Sequence, residues 1–272
     1  MRKVAISLFL MLFGITTSLF AQDYAAKVTV NSGNSFVVKK LNIQGDRLYQ
    51  ESGQSSTSLS MVKEIEFRFS SLSLGICERM FESGDRKALE NLLNMNVGPV
   101  AEYSYLSTNL GEYLVWLLKT QSWNGNVAGM GKTIGQLRQT KNPRLIAEAS
   151  LYFTMMLLDQ GKVENAKTIF SSVDDPASIS IPMTEYIMGK IALDEGDSRK
   201  AMQHVARIVA FHGRDAEWMP PATVLEARVY QMLGQPEKAQ AVANELILAY
   251  PGTQWSRQGE AIMMETNGTQ GG

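Results

Sequence analysis

The hydrophobic rhythm of the chain changes twice. From Val4 to Ile15 apolar residues run almost without interruption. Over residues 27–69 they alternate with polar ones: Val28 and Val30, Phe36 and Val38, Leu41 and Ile43, then Ile65, Phe67 and Phe69. Beyond Leu72 the spacing lengthens, and Leu106, Leu110, Leu114 and Leu117 form a stripe of the kind a helix presents on one face. Alternation sends successive side chains to opposite faces of a strand, whereas spacings of three and four gather them on one side of a helix. The pattern therefore predicts a short leader, a small β module and a long helical body.

Turn clusters divide the β module. Asn31-Ser32-Gly33-Asn34, Gln44-Gly45-Asp46 and Ser52-Gly53-Gln54-Ser55 separate the extended runs, so the strands are expected to be short and antiparallel. Closing such a sheet removes its exposed edges, which favours a small barrel over residues 22–70. The order of strands and glycine turns, ending in Val62-Lys63-Glu64-Ile65-Glu66-Phe67, resembles the small SH3-like and Sm-like barrels that lead many exported bacterial proteins. A module of this size buries too little surface to be stable alone. It is expected to dock on the helices as a cap.

The helical body, residues 71–262, carries a repeat. Gly161 is followed five residues later by Ala166, Gly196 by Ala201, and Gly234 by Ala239. The glycine suits a left-handed turn that ends one helix, and the alanine lets the next helix cross close to the first. Units of this kind are laid at 147–180, 182–215 and 220–253, with Gly84 and Gly125 as turns of two more divergent ones. The period, Ala227, Tyr230, Gly234, Ala239, Leu246 and Pro251 in the last unit, and the Tyr250-Pro251-Gly252-Thr253 end together resemble the tetratricopeptide repeat (TPR) proteins of the bacterial envelope. That resemblance implies a mainly α fold: a TPR-like α-solenoid of antiparallel helix pairs behind the small antiparallel β-barrel. It also implies a partner-binding groove lined by the first helix of each pair, where Tyr186, Lys190, Arg228 and Gln231 would face the ligand. Residues 263–272, rich in glycine and polar side chains, are expected to form a disordered tail.

The ends and the charge narrow the setting. Arg2 and Lys3, the apolar run and the small residues up to Ala21 have the layout of a signal peptide over residues 1–21, so export to the periplasm or beyond is expected. The run is too short to span a bilayer, and no later segment of the sequence is apolar for long enough. Without Arg2 and Lys3 the formal charge moves from −1 to −3, and there is no basic run to track phosphates. Nucleic acid is therefore not an expected partner. The single cysteine, Cys77, lies among Leu72, Leu74, Ile76 and Met80 and reads as a buried thiol.

Candidate chemistry is sparse. Gly129-Met130-Gly131-Lys132-Thr133 ends like a P-loop, but Asn126 stands where the motif requires its first glycine. The segment reads as a helix and not as a nucleotide site. His204 and His212 have no cysteine or acidic partner at metal-ligand spacing, and His212 suits the C-terminal end of a helix. Asp174 with Asp175, and Asp194 with Glu195, flank expected helix ends. The methionines, and Trp116, Trp123, Trp218 and Trp255, read as packing between repeats. No catalytic residue, cofactor or metal is assigned. The expected function is a non-catalytic adaptor or scaffold for a protein or peptide partner in the envelope. The competing expectation is a hydrolase or binding protein directed at envelope polysaccharide or peptidoglycan, for which clustered carboxylates and tryptophans in one cleft would be the sign.

Overall fold

The computed structural model describes residues 24–50 and 55–270, with the side chains of 269 and 270 excepted. The expected signal peptide and most of the turn at Ser52-Gly53-Gln54 lie outside the described residues. The protein is mainly helical, with a small antiparallel sheet region at the front.

Six strands form the front: β1 (Tyr24–Val30), β2 (Ser35–Val38), β3 (Asn42–Gln44), β4 (Arg47–Tyr49), β5 (Ser56–Ser58) and β6 (Val62–Phe69). Alternation works as expected, since Ala26 and Val28 of β1 and Ile65, Phe67 and Phe69 of β6 all face the interior. Among the described residues the expected closed barrel is not present. The strands form two separate three-stranded antiparallel sheets, ordered β2-β1-β6 and β3-β4-β5. The reason lies at the outer edge of β6, which a distant segment occupies in place of another strand. The Ile65 N–H donates to the Ser107 carbonyl at 2.9 Å. The Asn109 side chain then imitates a strand, accepting from the Phe67 N–H at 2.8 Å and donating to the Phe67 carbonyl at 2.9 Å. An edge satisfied in this way has no need of closure. Rings complete the seam: Phe67 stacks on Tyr103, and Phe69 meets Tyr113 edge-on at 5.3 Å. The expectation that the module docks on the helices is met.

The body runs α1 (Leu74–Glu82), α2 (Arg86–Asn96), α3 (Leu110–Asn124), α4 (Val127–Leu137), α5 (Pro143–Asp159), α6 (Val163–Ser171), the single turn α7 (Pro176–Ile179), α8 (Ile181–Asp194), α9 (Ser198–His212), α10 (Met219–Met232), α11 (Pro236–Ala249) and α12 (Gln254–Gln270). Local chemistry starts these helices. Ser73, Asn126, Asn142, Ser180 and Asp197 accept from backbone N–H groups in the first turn, and Pro143, Pro182, Pro220 and Pro236 stand where a missing N–H costs nothing. Short links that contain Gly84, Gly125, Gly161, Gly196 and Gly234, all at positive φ, join α1 to α2, α3 to α4, α5 to α6, α8 to α9 and α10 to α11. Links this short make packed neighbours antiparallel. Ala166, Ala201 and Ala239 are fully buried on the second helices. The P-loop-like stretch lies inside α4, where the Thr133 hydroxyl is buried and donates to Gln121 at 2.9 Å.

One contiguous apolar core extends from Tyr24 to Ile262. Its far end folds back on its middle: the Gln254 amide donates to the Ser122 and Trp123 carbonyls at 2.7 and 2.8 Å, and Trp255 meets Trp123 edge-on at 5.6 Å. The tail expected from residue 263 is instead helical to Gln270. Ile262 and Thr266 are buried there, and Thr266 satisfies its hydroxyl on the Ile262 carbonyl at 2.7 Å, so a polar composition still packs. Among the described residues, no helix is long and apolar enough to cross a membrane.

Cys77 is fully buried, and burial pushes its thiol up to about 11. The folded protein is expected to resist iodoacetamide at pH 8 and to take up one equivalent in denaturant, read by intact-mass spectrometry. Labelling of the folded protein would contradict the packing described.

Candidate functional site

A cavity of about 470 Å³ opens between the helices. Its walls come from α3, α5, α8, α10 and α12, with Val127 and Met130 from the start of α4 and Glu217 and Trp218 from the entry to α10. Helices α6, α9 and α11 contribute no lining residue among those described. The position six residues before the turn glycine recurs in the lining of four hairpins: Lys119 in α3, Met155 in α5, Lys190 in α8 and Arg228 in α10. Equivalent places in successive hairpins thus meet in one space.

The walls are largely apolar. Trp123 and Trp255 stand at one side, Trp218 and Tyr186 pair at 5.8 Å at another, and Met130, Met155 and Met156 fill between them. Behind Trp123, the Arg86 guanidinium lies 3.6 Å from the ring centroid, with Phe81 on it at 4.6 Å. Burial pulls the Arg86 pKa down, and its Nε has no hydrogen-bond partner among the described residues.

The charged groups of the cavity are mostly engaged with one another. The Lys119 ammonium lies 3.4 Å from Glu217 and 3.8 Å from Glu148, and the Tyr152 hydroxyl donates to Glu217. Glu217, then Glu148, raise the Lys119 pKa against burial. Burial raises Glu148 in spite of Lys119, and it also raises Tyr152 well above the ordinary phenol range. Lys190 donates to Asp159, and Arg228 pairs with Glu265 of α12. Burial pushes the Tyr186 hydroxyl up to about 12. One donor stands apart: the buried Trp255 indole N–H has no acceptor among the described residues.

Of the residues expected to face a partner, Tyr186, Lys190 and Arg228 line the cavity. Gln231 does not; its amide turns to α12 and donates to Thr266 at 3.0 Å. Neither histidine lines it. His204 is buried, its Nδ1 2.6 Å from a Glu185 carboxylate oxygen that also accepts from Arg207, and His212 ends α9. Asp175 caps α7 and Glu195 pairs with Lys167, both at helix ends. Sequence reasoning preferred packing to a sugar platform for Trp123, Trp218 and Trp255, with a cluster in one cleft as the sign of the latter, and passed over Lys119, Tyr152 and Glu217. The recurring position before each turn glycine would have found Lys119, whereas Glu217 lies in an irregular link with no such register.

Among the described residues, no group of three His, Cys, Asp or Glu side chains is arranged to hold a metal ion. Comparison of the chain with protein-family models, curated proteins and solved structures finds no match.

Proposed function

We propose that the protein is an exported, non-catalytic adaptor, a TPR-like α-solenoid capped by its β module, that holds a protein or peptide partner of the cell envelope. One observation carries this reading: equivalent positions of four successive hairpins converge on a single apolar cavity. Convergence of that kind is how an array of similar units builds one extended binding surface. Mutual pairing of the charged side chains, Lys119 with Glu217, Lys190 with Asp159 and Arg228 with Glu265, fits a holding role.

The test is affinity capture from envelope extract with the tagged protein, compared with Met156→Trp, which fills the cavity from a half-buried wall position. A recurrent partner retained by the wild type and lost by the variant is expected. A partner held equally by both would remove the cavity from the function.

A second reading has an observation of its own, the three tryptophans sharing a cavity with Glu217 and Asp159. Such a wall suits a sugar ring, and retention on purified cell-wall glycan that Trp218→Ala abolishes would favour a polysaccharide-directed protein. The peptide reading is preferred because a sugar's many hydroxyls need free donors and acceptors, and here most of those groups are already paired.

A further inference from the structure

We infer that the Arg86 guanidinium, stacked on Trp123 outside the cavity, receives one carboxylate from a segment of the protein partner. The nature of that partner rests on the adaptor reading. Arg86 opens α2, and its guanidinium carbon lies 3.6 Å from the Trp123 ring centroid and 4.6 Å from that of Phe81. Its backbone is tied as well, since the Asn124 amide donates to the Arg86 carbonyl at 3.3 Å. A guanidinium held against two rings presents a planar fork in a fixed direction. The Nε atom is sealed from solvent and lies out of reach of any ligand. The two terminal nitrogens, Nη1 and Nη2, are not sealed, and they form the edge that a carboxylate meets with both of its oxygens.

The counter-ion is what the fold leaves out. Lys119, Lys190 and Arg228 each have a carboxylate partner, and Lys87, next to Arg86 in the chain, lies 3.9 Å from Glu90. The Arg86 side chain forms no hydrogen bond or ion pair among the described residues. Burial works against its charge, and Glu217 supports that charge without pairing with it. An incoming carboxylate would supply the missing partner and break no existing pair to do so. Tyr250 adds a neutral donor. Its ring meets the same Trp123 edge-on at 6.2 Å, the Arg86 charge acts on its phenol, and its hydroxyl has no partner among the described residues. Charge selects a carboxylate over a phosphate. With Asp85 preceding Arg86 and Glu217 acting on it, a dianion would meet more repulsion than one guanidinium offsets, whereas a monoanion would not.

The experiment follows the Trp123 indole N–H signal of the ¹⁵N-tryptophan-labelled protein by NMR, assigned through its loss in Trp123→Phe. Propionate, its neutral isostere propionamide and methyl phosphate are titrated at constant ionic strength. Propionate is expected to shift the signal saturably, propionamide not to shift it, and methyl phosphate to bind less tightly than propionate. Arg86→Lys, which keeps the charge and the stem but loses the fork, is expected to weaken propionate about tenfold. Two peptides then distinguish the source: acetyl-Gly-Glu-Gly-amide offers a side-chain carboxylate and acetyl-Gly-Ala-Gly a chain terminus. Saturable binding of either, weakened in Arg86→Lys, supports the inference, and the tighter one names the source. A shift that propionamide or sodium chloride matches, indifference to Arg86→Lys, tighter binding of methyl phosphate, failure of both peptides, or tighter binding of glucuronate than of either peptide would overturn it. If propionate fails while Met156→Trp releases the captured protein partner, this inference alone falls. If propionate binds as expected while the captured partner is indifferent to Met156→Trp, the carboxylate site stands and the adaptor reading of the cavity falls.

Discussion

Trp123→Ala is expected to remove about 4 kcal/mol of folding free energy, the scale of a large ring deleted from a core. Trp123 is only 5% exposed and touches rings from both ends of the helical body: Phe81 at 6.0 Å, Tyr250 at 6.2 Å and Trp255 at 5.6 Å. Arg86 stacks on it, so the truncation also strips a half-buried guanidinium of its flat support. The loss should therefore be felt far along the chain. Urea denaturation is expected to show a lower midpoint, and hydrogen exchange faster protons at the start of α12 than in α6. Unchanged exchange in α12 would mean that the Trp123 cluster does not tie the end of the chain to α3.

Lys119→Met is expected to cost about 3 kcal/mol at neutral pH. The figure is taken at the low end for a broken buried pair because the Lys119 side chain is still 25% exposed. The variant leaves Glu148 and Glu217 near one another with no cation between them. The sign of the pH dependence follows from the two shifted groups. The folded-state pKa of Lys119 is raised, so its contribution is complete below the ordinary lysine range and is lost only as pH rises through the folded value. Burial already raises Glu148, and it rises further once the ammonium is gone. Raised carboxyls favour the fold as they take up protons, so the deficit of the variant should shrink between pH 7 and pH 5. Urea melts of both proteins at the two pH values measure it. A deficit independent of pH would show that Glu148 does not depend on Lys119.

What could be read from the sequence followed the range of the interaction concerned. The turns at Gly161, Gly196 and Gly234 were legible because a positive φ is a demand made within a single residue. Ala166, Ala201 and Ala239 were legible because the crossing of paired helices recurs at a fixed offset from those turns. The open sheet region was not, because the partner of the β6 edge, Asn109, lies 42 residues away and acts through a side chain in place of a strand. Alternation reports which face a residue takes and is silent on who takes the edge. The packed end was hidden for a similar reason. Thr266 read as part of a polar tail and Gln231 as a groove residue until α10 and α12 lie side by side. A small part of the candidate site was accessible by register, through Tyr186, Lys190 and Arg228. The wall built by Trp255 required knowing that α12 returns to α3, a contact more than 130 residues long.

That return has a consequence for how such a protein can change over generations. An array whose units touch only their neighbours gains or loses one without harm to the rest, and lengths drift freely. Here the Gln254 amide must reach the carbonyls of Ser122 and Trp123. Duplicating or deleting a single hairpin between them would carry α12 away from that seat and open the cavity it walls. The length from α3 to α12 is thus constrained by one long-range contact, a constraint that an array of neighbour-only units lacks.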